Sequence, residues 1–255
     1  MCLAGLIWNA HPRWRLVMAG NRDESHARPT AALARWHDAS LLAGRDLRSG
    51  GTWMGLGPDG RAAVVTNVRD GLATPFDGPS RGALPTAFLT GPLDPLTHAN
   101  ALMPRALAHA PFNLILADAT ACIHLSNHPA PAVQALPQGV HAISNGPLDA
   151  PWPKVRHLRT ALTQWAQQGH DDLQPIWAAL ADCRAAPDTE LPDTGVGLQL
   201  ERHLSPAFIR GHEYGTRSST VLLVAHDGQA RIIERRYGPL GQAEGETALD
   251  NDALA

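Results

Sequence analysis

The order of the segments constrains this chain most. Strand-like runs come first, helical runs next and strand-like runs last, with no regular alternation of strand and helix. Leu3–Trp8 reads as a buried strand, apolar on both faces. Asn9–Arg13, with Pro12, is its turn, and Trp14–Gly20 is the return strand. Further strands are expected at Leu41–Leu47, Gly50–Gly57, Arg61–Val68, Phe112–Ala117, Ala121–Leu125 and Val140–Ser144. Two late strands, Thr216–Ala225 and Arg231–Arg236, flank His226-Asp227-Gly228, a hairpin signal. Helices are expected from Arg81 to Leu89, with Ser80 as N-cap, and over Pro95–Leu107. Two more follow at Lys154–Gln168, stopped by Gly169, and at Leu173–Asp182. Pro187–Gly197 reads as an irregular polar loop. This order implies an α+β layered domain with antiparallel sheets and argues against a doubly wound nucleotide fold. One domain over residues 1–240 is expected, with residues 241–255 as a flexible acidic tail.

A 255-residue chain that is 44% hydrophobic and 18% charged has ample material for a core. A net charge of -3 gives no reason to expect nucleic acid as a partner. The basic residues are 20 arginines and one lysine, Lys154, a bias that fits a GC-rich genome. Cys2, Cys122 and Cys183 form neither a disulfide framework nor a zinc motif, which suits a reducing cytosol. The apolar run after Cys2 is too short for a signal-peptide core, and no run is long enough to span a membrane. A cytoplasmic location and a small-molecule ligand are the expectation; oligomeric state is left open.

Several motifs have plain readings. Gly55–Gly60 matches G-x-G-x-x-G, but a strand pattern follows it, so it reads as a turn. Gly78–Gly82 matches G-x-S-x-G, but the segment before it (LATPFD) is a poor strand, so Ser80 reads as a helix cap and not a nucleophile. His124 and His128 lack the spacing of a metal motif, and no metal site is expected.

Cys2 follows the initiator Met1 directly. Removal of Met1 would give one residue both a thiol and an α-amine that titrates near ~7.7–8.0, a nucleophile with its own base. On the residues alone, the stronger reading of the same cysteine is a small buried residue. Arg22 and Asp23, after the hairpin, read equally as site residues or as an ion pair at a turn. Asn67, Asn145 and Arg217 are individually unremarkable.

MCLAGLIW…RLVMAGNRDESHARP resembles the start of the NRDE family, also called the transport and Golgi organisation 2 family. The likeness continues through SGGTWMGLGPDGRAAVVTNVRDG, PSRGALPTAFLTG, FNLILAD, AISNGPLDAPWPKV and YGTRSSTVLLV, over roughly residues 1–236. The resemblance implies a four-layer αββα sandwich of the N-terminal-nucleophile hydrolase type, similar to the cholylglycine hydrolase and penicillin V acylase group. By that likeness Cys2 matches the nucleophile and Arg22 and Asp23 the early pair. Asn67 and Asn145 match the oxyanion and orienting asparagines, and Arg217 the late arginine. Asp23 would orient the α-ammonium, while Arg22 and Arg217 would lower the thiol's pKa. The implied reaction is hydrolysis of a small, linear, non-peptide amide, with no cofactor required. Family members are also linked to haem and acyl-CoA lipids. The alternative is therefore a non-catalytic protein that binds or moves haem or acyl-CoA in the same cleft.

Overall fold

The computed structural model describes residues 2–72 and 76–254. In chain order the strands are β1 (Cys2–Trp8), β2 (Trp14–Ser25), β3 (Thr30–Arg35), β4 (Leu42–Asp46), β5 (Met54–Leu56) and β6 (Ala62–Asn67). Then come β7 (Phe112–Ala117), β8 (Cys122–Ser126), β9 (Ala132–Ala135), β10 (Gly139–Ile143), β11 (Tyr214–Ala225), β12 (Ala230–Tyr237) and β13 (Ala243–Asp250). The helices are α1 (Ala83–Thr90), α2 (Pro95–Leu102), α3 (Pro153–Gln168), α4 (Gln174–Leu180) and α5 (Leu198–His203). One sheet has the order β10-β1-β2-β11-β12-β13 and the other β3-β4-β5-β6-β7-β8-β9. All their pairings are antiparallel.

The period of two in β1 explains the layers. Ala4, Leu6 and Trp8 share a core with Met54, Leu56 and Val64 of the second sheet. Leu3 and Ile7, on the other face, share a core with Leu158, Leu162 and Trp165 of α3. Helices α3 and α4 pack on β1, β10 and β2, whereas α1 and α2 pack on β5 to β9. The result is the expected αββα sandwich. Gly5 sets the closeness of α3: a Cβ there would meet Leu162 Cδ1 at 2.5 Å and Leu158 Cδ2 at 3.0 Å.

Several expectations are corrected. Gly20 does not end the return strand: β2 continues to Ser25, and the charged cluster lies on the strand. The acidic segment after Gly241 is not a free tail over its described length. It forms β13 on β12, where Arg235 meets Glu246 at 2.7 Å and Arg236 donates to Thr247 Oγ1 at 2.7 Å. Its acidity complements the arginines of β12. Ser80 does not cap α1; Gly82 holds that position, and the Ser80 hydroxyl accepts from the Gly82 N–H at 3.3 Å. The helix expected over Pro95–Leu107 tightens into a 3-10 segment at Met103–Ala108, where Pro104 lacks a donor. Of the Gly55–Gly60 motif, Gly55 and Leu56 end β5 and Pro58–Gly60 forms the turn toward β6, with Asp59 at φ 56° and Gly60 at φ 70°. Met1 and part of the LATPFD segment lie outside the described residues.

Candidate active site

The β1–β2 register places Cys2 opposite Arg22. Directly opposed residues point to the same face, so Arg22 joins Cys2 on the side facing the second sheet. Asp23 falls on the other face with Asn21, whose amide donates to Leu180 O and Ala207 O beneath the helices, both at 2.8 Å. The Asp23 carboxylate accepts from Thr216 Oγ1 at 2.7 Å, and its carbonyl accepts from the Tyr214 hydroxyl at 3.1 Å. Burial pushes the Asp23 carboxyl up, against the pull of Lys154, Thr216 and Arg22.

The second and third motifs arrive at the ends of β6 and β10. Ser144 Oγ donates to the Cys2 carbonyl at 3.0 Å, and Thr66 Oγ1 donates to Ser144 O at 2.8 Å. Asn145, fully buried, donates from Nδ2 to Asn67 O at 3.1 Å and to Asn67 Oδ1 at 2.9 Å. Asn145 Nδ2 is thereby spent on Asn67, whose own Nδ2 has no hydrogen bond among the described residues. Cys2, Arg22, Asn67 and Asn145 thus meet at one rim of the sandwich, with Asp23 behind the sheet.

Arg217 stands apart. It is the extra residue at a register shift between Thr216 and Ser218, a β-bulge. Its Nη1 donates to Ser25 O at 2.9 Å, Arg28 O at 3.1 Å and His26 O at 3.4 Å. The guanidinium therefore holds the loop after β2. The Cys2 thiol is not held low, as the sequence reading expects. Burial at 8% exposure pushes it up and Asp23 adds to this, while Arg22 opposes.

Lys154, passed over in the sequence as compositional bias, is buried at the start of α3. Its Nζ donates to Leu204 O at 2.8 Å. Burial pushes it down to about 8, with Asp23 pulling the other way. The signal for it was present: one lysine among so many arginines. Arg69, two residues after Asn67, pairs with Glu201 of α5 at 2.5 Å, and both side chains are almost wholly buried. The Arg69 N–H donates to Asn145 O at 2.7 Å, which ties this ion pair to the asparagines.

A cleft of about 1040 Å³ opens at this rim, lined in part by Arg22, Asn67, Arg69, Arg81, Leu204 and Tyr214. His124 lies elsewhere, on β8, with Asn113 at 3.2 Å and Gln134 at 3.1 Å on its two ring nitrogens; burial pushes it down to about 4. Among the described residues no three His, Cys, Asp or Glu side chains gather as a metal site. No helix of the described residues is long and apolar enough to cross a membrane.

Two facing antiparallel sheets between helices make a four-layer αββα sandwich, N-terminal-nucleophile hydrolase-like in its architecture. A solved structure of the Caenorhabditis elegans N-acylethanolamine-hydrolyzing acid amidase ortholog superposes with TM-score 0.55 at 11% identity, covering 88% of this chain and 92% of that one. At that identity the likeness concerns the fold alone. The chain belongs to the Transport and Golgi organisation 2 family, which it matches over residues 1–239. It is 28% identical to the Homo sapiens Transport and Golgi organization protein 2 homolog over 258 residues, covering 92% of each chain. To the Drosophila melanogaster Transport and Golgi organization protein 2 it is 26% identical over 264 residues, covering 92% of this chain and 91% of the relative.

Proposed function

We propose that the chain is a cysteine N-terminal-nucleophile amidohydrolase acting on a small, linear, non-peptide carbon–nitrogen bond. In this reading Met1 is removed and the Cys2 α-amine takes the thiol proton. The thiolate adds to the amide carbon, the carbon–nitrogen bond breaks, and the ammonium returns a proton to the leaving amine. Water then hydrolyses the thioester and frees the acid and Cys2. Asn67 Nδ2 donates to the tetrahedral oxyanion and Asn145 fixes its direction. Asp23 accepts from the α-ammonium, Arg22 offers positive charge to the thiolate, and Arg217 holds the adjoining loop as a positioning residue. No cofactor takes part.

The observation that carries the reading is the convergence of residues far apart in sequence on Cys2. Its carbonyl is gripped by Ser144, its register partner is Arg22, and Asn145 is spent on orienting Asn67. The test begins with the intact mass of the protein from its own cells. Loss of Met1 is expected, followed by turnover in a panel of acyl amides that Cys2→Ala and Cys2→Ser abolish. Met1 retained in nearly every molecule, or activity that survives both substitutions, refutes it.

The burial of the Cys2 thiol, which pushes its pKa up, favours a second reading, in which the cleft binds haem or acyl-CoA without turnover. A saturable Soret shift on haem titration, or saturable acyl-CoA binding, that is lost on one His or Cys substitution supports it. No saturable binding of either ligand removes it.

A further inference from the structure

The charges around the cleft do not cancel. Arg28 spends its guanidinium on Asp46, at 3.0 Å from Nε and 2.6 Å from Nη2. Arg69 is spent on Glu201. Arg22 meets Glu24 only at 3.7 Å. Arg81 meets no carboxylate among the described residues; its one hydrogen bond runs from Nη1 to Pro111 O at 3.0 Å. That carbonyl also accepts from the Val68 N–H at 3.0 Å, which fixes the guanidinium one residue from Asn67. The turn that carries Arg81 is clamped from behind. Thr52 N–H donates to Gly82 O at 3.1 Å, and a Cβ on Gly51 would meet the Gly82 carbonyl at 2.4 Å. A half-buried guanidinium, held rigidly with no carboxylate in contact and Glu24 acting on it only from beyond contact distance, leaves room for a ligand to supply the charge. The cleft's lining also includes apolar side chains of Leu200 and Leu204.

We infer that Arg81 determines specificity: it binds an anionic group, carboxylate or phosphate, on an acyl compound whose apolar chain lies along Leu200 and Leu204. The inference rests on the proposed use of this cleft for an acyl substrate and adds the charge that substrate carries. A guanidinium presents a planar fork that suits either oxyanion. The amide carbon would then reach the rim at Cys2 while the anion stays at Arg81.

Calorimetric titration of the whole chain with octanoate, octyl phosphate and 1-octanol tests this without any turnover. At least one anion is expected to bind roughly tenfold or more tightly than octanol, as a charge-assisted hydrogen bond allows. Which anion binds better separates a carboxylate site from a phosphate site. Arg81→Gln should remove the preference and leave octanol binding unchanged; Arg81→Lys, which keeps the charge and loses the fork, should keep part of it. If Arg81→Gln does not fold, the Arg81→Lys comparison decides, because it must weaken the anions and spare octanol. No anion binding, equal binding of all three probes, or a preference that survives at Arg81→Gln overturns the inference. Amide turnover without anion preference would overturn this inference alone. Anion preference without any amide turnover would overturn the hydrolase reading and leave the anion site standing.

Discussion

Replacing Glu201 by Ala removes one partner of the most buried ion pair at the rim. The side chains of Arg69 and Glu201 are 6% and 3% exposed, and Glu201 Oε1 also accepts from Thr194 N at 2.9 Å and from Thr194 Oγ1 at 2.5 Å. Truncation takes the Glu201 carboxylate away from the buried Arg69 guanidinium, whose other contacts include the Thr194 hydroxyl at 2.9 Å from Nε and the Trp152 ring at 5.2 Å. Breaking a buried pair in this way costs about 3–5 kcal/mol. For a chain of this size ~1 kcal/mol moves the melting midpoint by ~2–4 °C, so a fall of roughly 6–20 °C is expected. Replacing both partners, Arg69→Met with Glu201→Leu, should restore most of the loss, because neither desolvated charge remains. Thermal denaturation by circular dichroism, run on the wild type, the single variant and the double variant, reads this directly. A fall under about 2 °C for Glu201→Ala refutes the reasoning. So does a double variant no more stable than the single one, which would mean that the cost came from lost packing and not from a stranded charge.

Two further outcomes follow from the same region. Lys154 is held near 8, below the ordinary lysine value of 10.5, so the unfolded chain binds more protons between those values and wild-type stability rises with pH across that window. Relative to Lys154→Met, the wild type should gain about 3 kcal/mol between pH 8 and pH 10.5 in urea melts; a flat difference contradicts the burial argument. Gly51→Ala drives a Cβ into the Gly82 backbone, with contacts of 2.4 Å to its carbonyl carbon and oxygen. It should cost about 1–3 kcal/mol and displace Arg81, read as a lower urea midpoint together with weaker octanoate binding.

The layers were legible because they follow from local patterns. Leu3–Trp8 alternates between two cores, and Val155, Leu158, Leu162 and Trp165 recur at helical spacing on α3, so both elements declare their buried faces. The short edge strands β3 and β9 and the six-residue α5 did not declare themselves. Their residues are mostly polar or exposed, and pairing with neighbours, not pattern, makes them regular. Acidic β13 was hidden for a related reason: its charges find partners in Arg231 and Arg235 of β12, which a reading of the segment alone does not show. Within the site, Cys2 and Arg22 could be brought together by reading one hairpin. Asn145 on Asn67, Ser144 on the Cys2 carbonyl and Glu201 on Arg69 are contacts between distant segments, which spacing cannot encode. Glu201 and Lys154 look like ordinary solvated charges in the sequence because Arg69, which pairs with Glu201, and Leu204, which accepts from Lys154, lie far away along the chain.

The hairpin also divides the candidate chemistry between two environments. Arg22 and Asp23 are adjacent in sequence, yet the period of two sends them to opposite faces of one sheet. Arg22 faces the cleft, where Arg81 also lies and positive charge exceeds negative. Asp23 faces the helices, where Lys154 is its buried cationic neighbour and Thr216 holds one oxygen. A backbone amine at the start of β1 lies in the plane of the sheet, between its two faces. An α-ammonium there would be oriented from behind by Asp23 while the thiol is directed forward toward Arg22. The thiol's burial disfavours its thiolate, so ionisation at that position requires a local proton acceptor. A freed α-amine would supply one within the same residue, whereas an N-terminal Met1 would occupy that nitrogen in a peptide bond. The state of the first residue therefore decides between the two readings of the cleft, and no substitution elsewhere in the site can stand in for it.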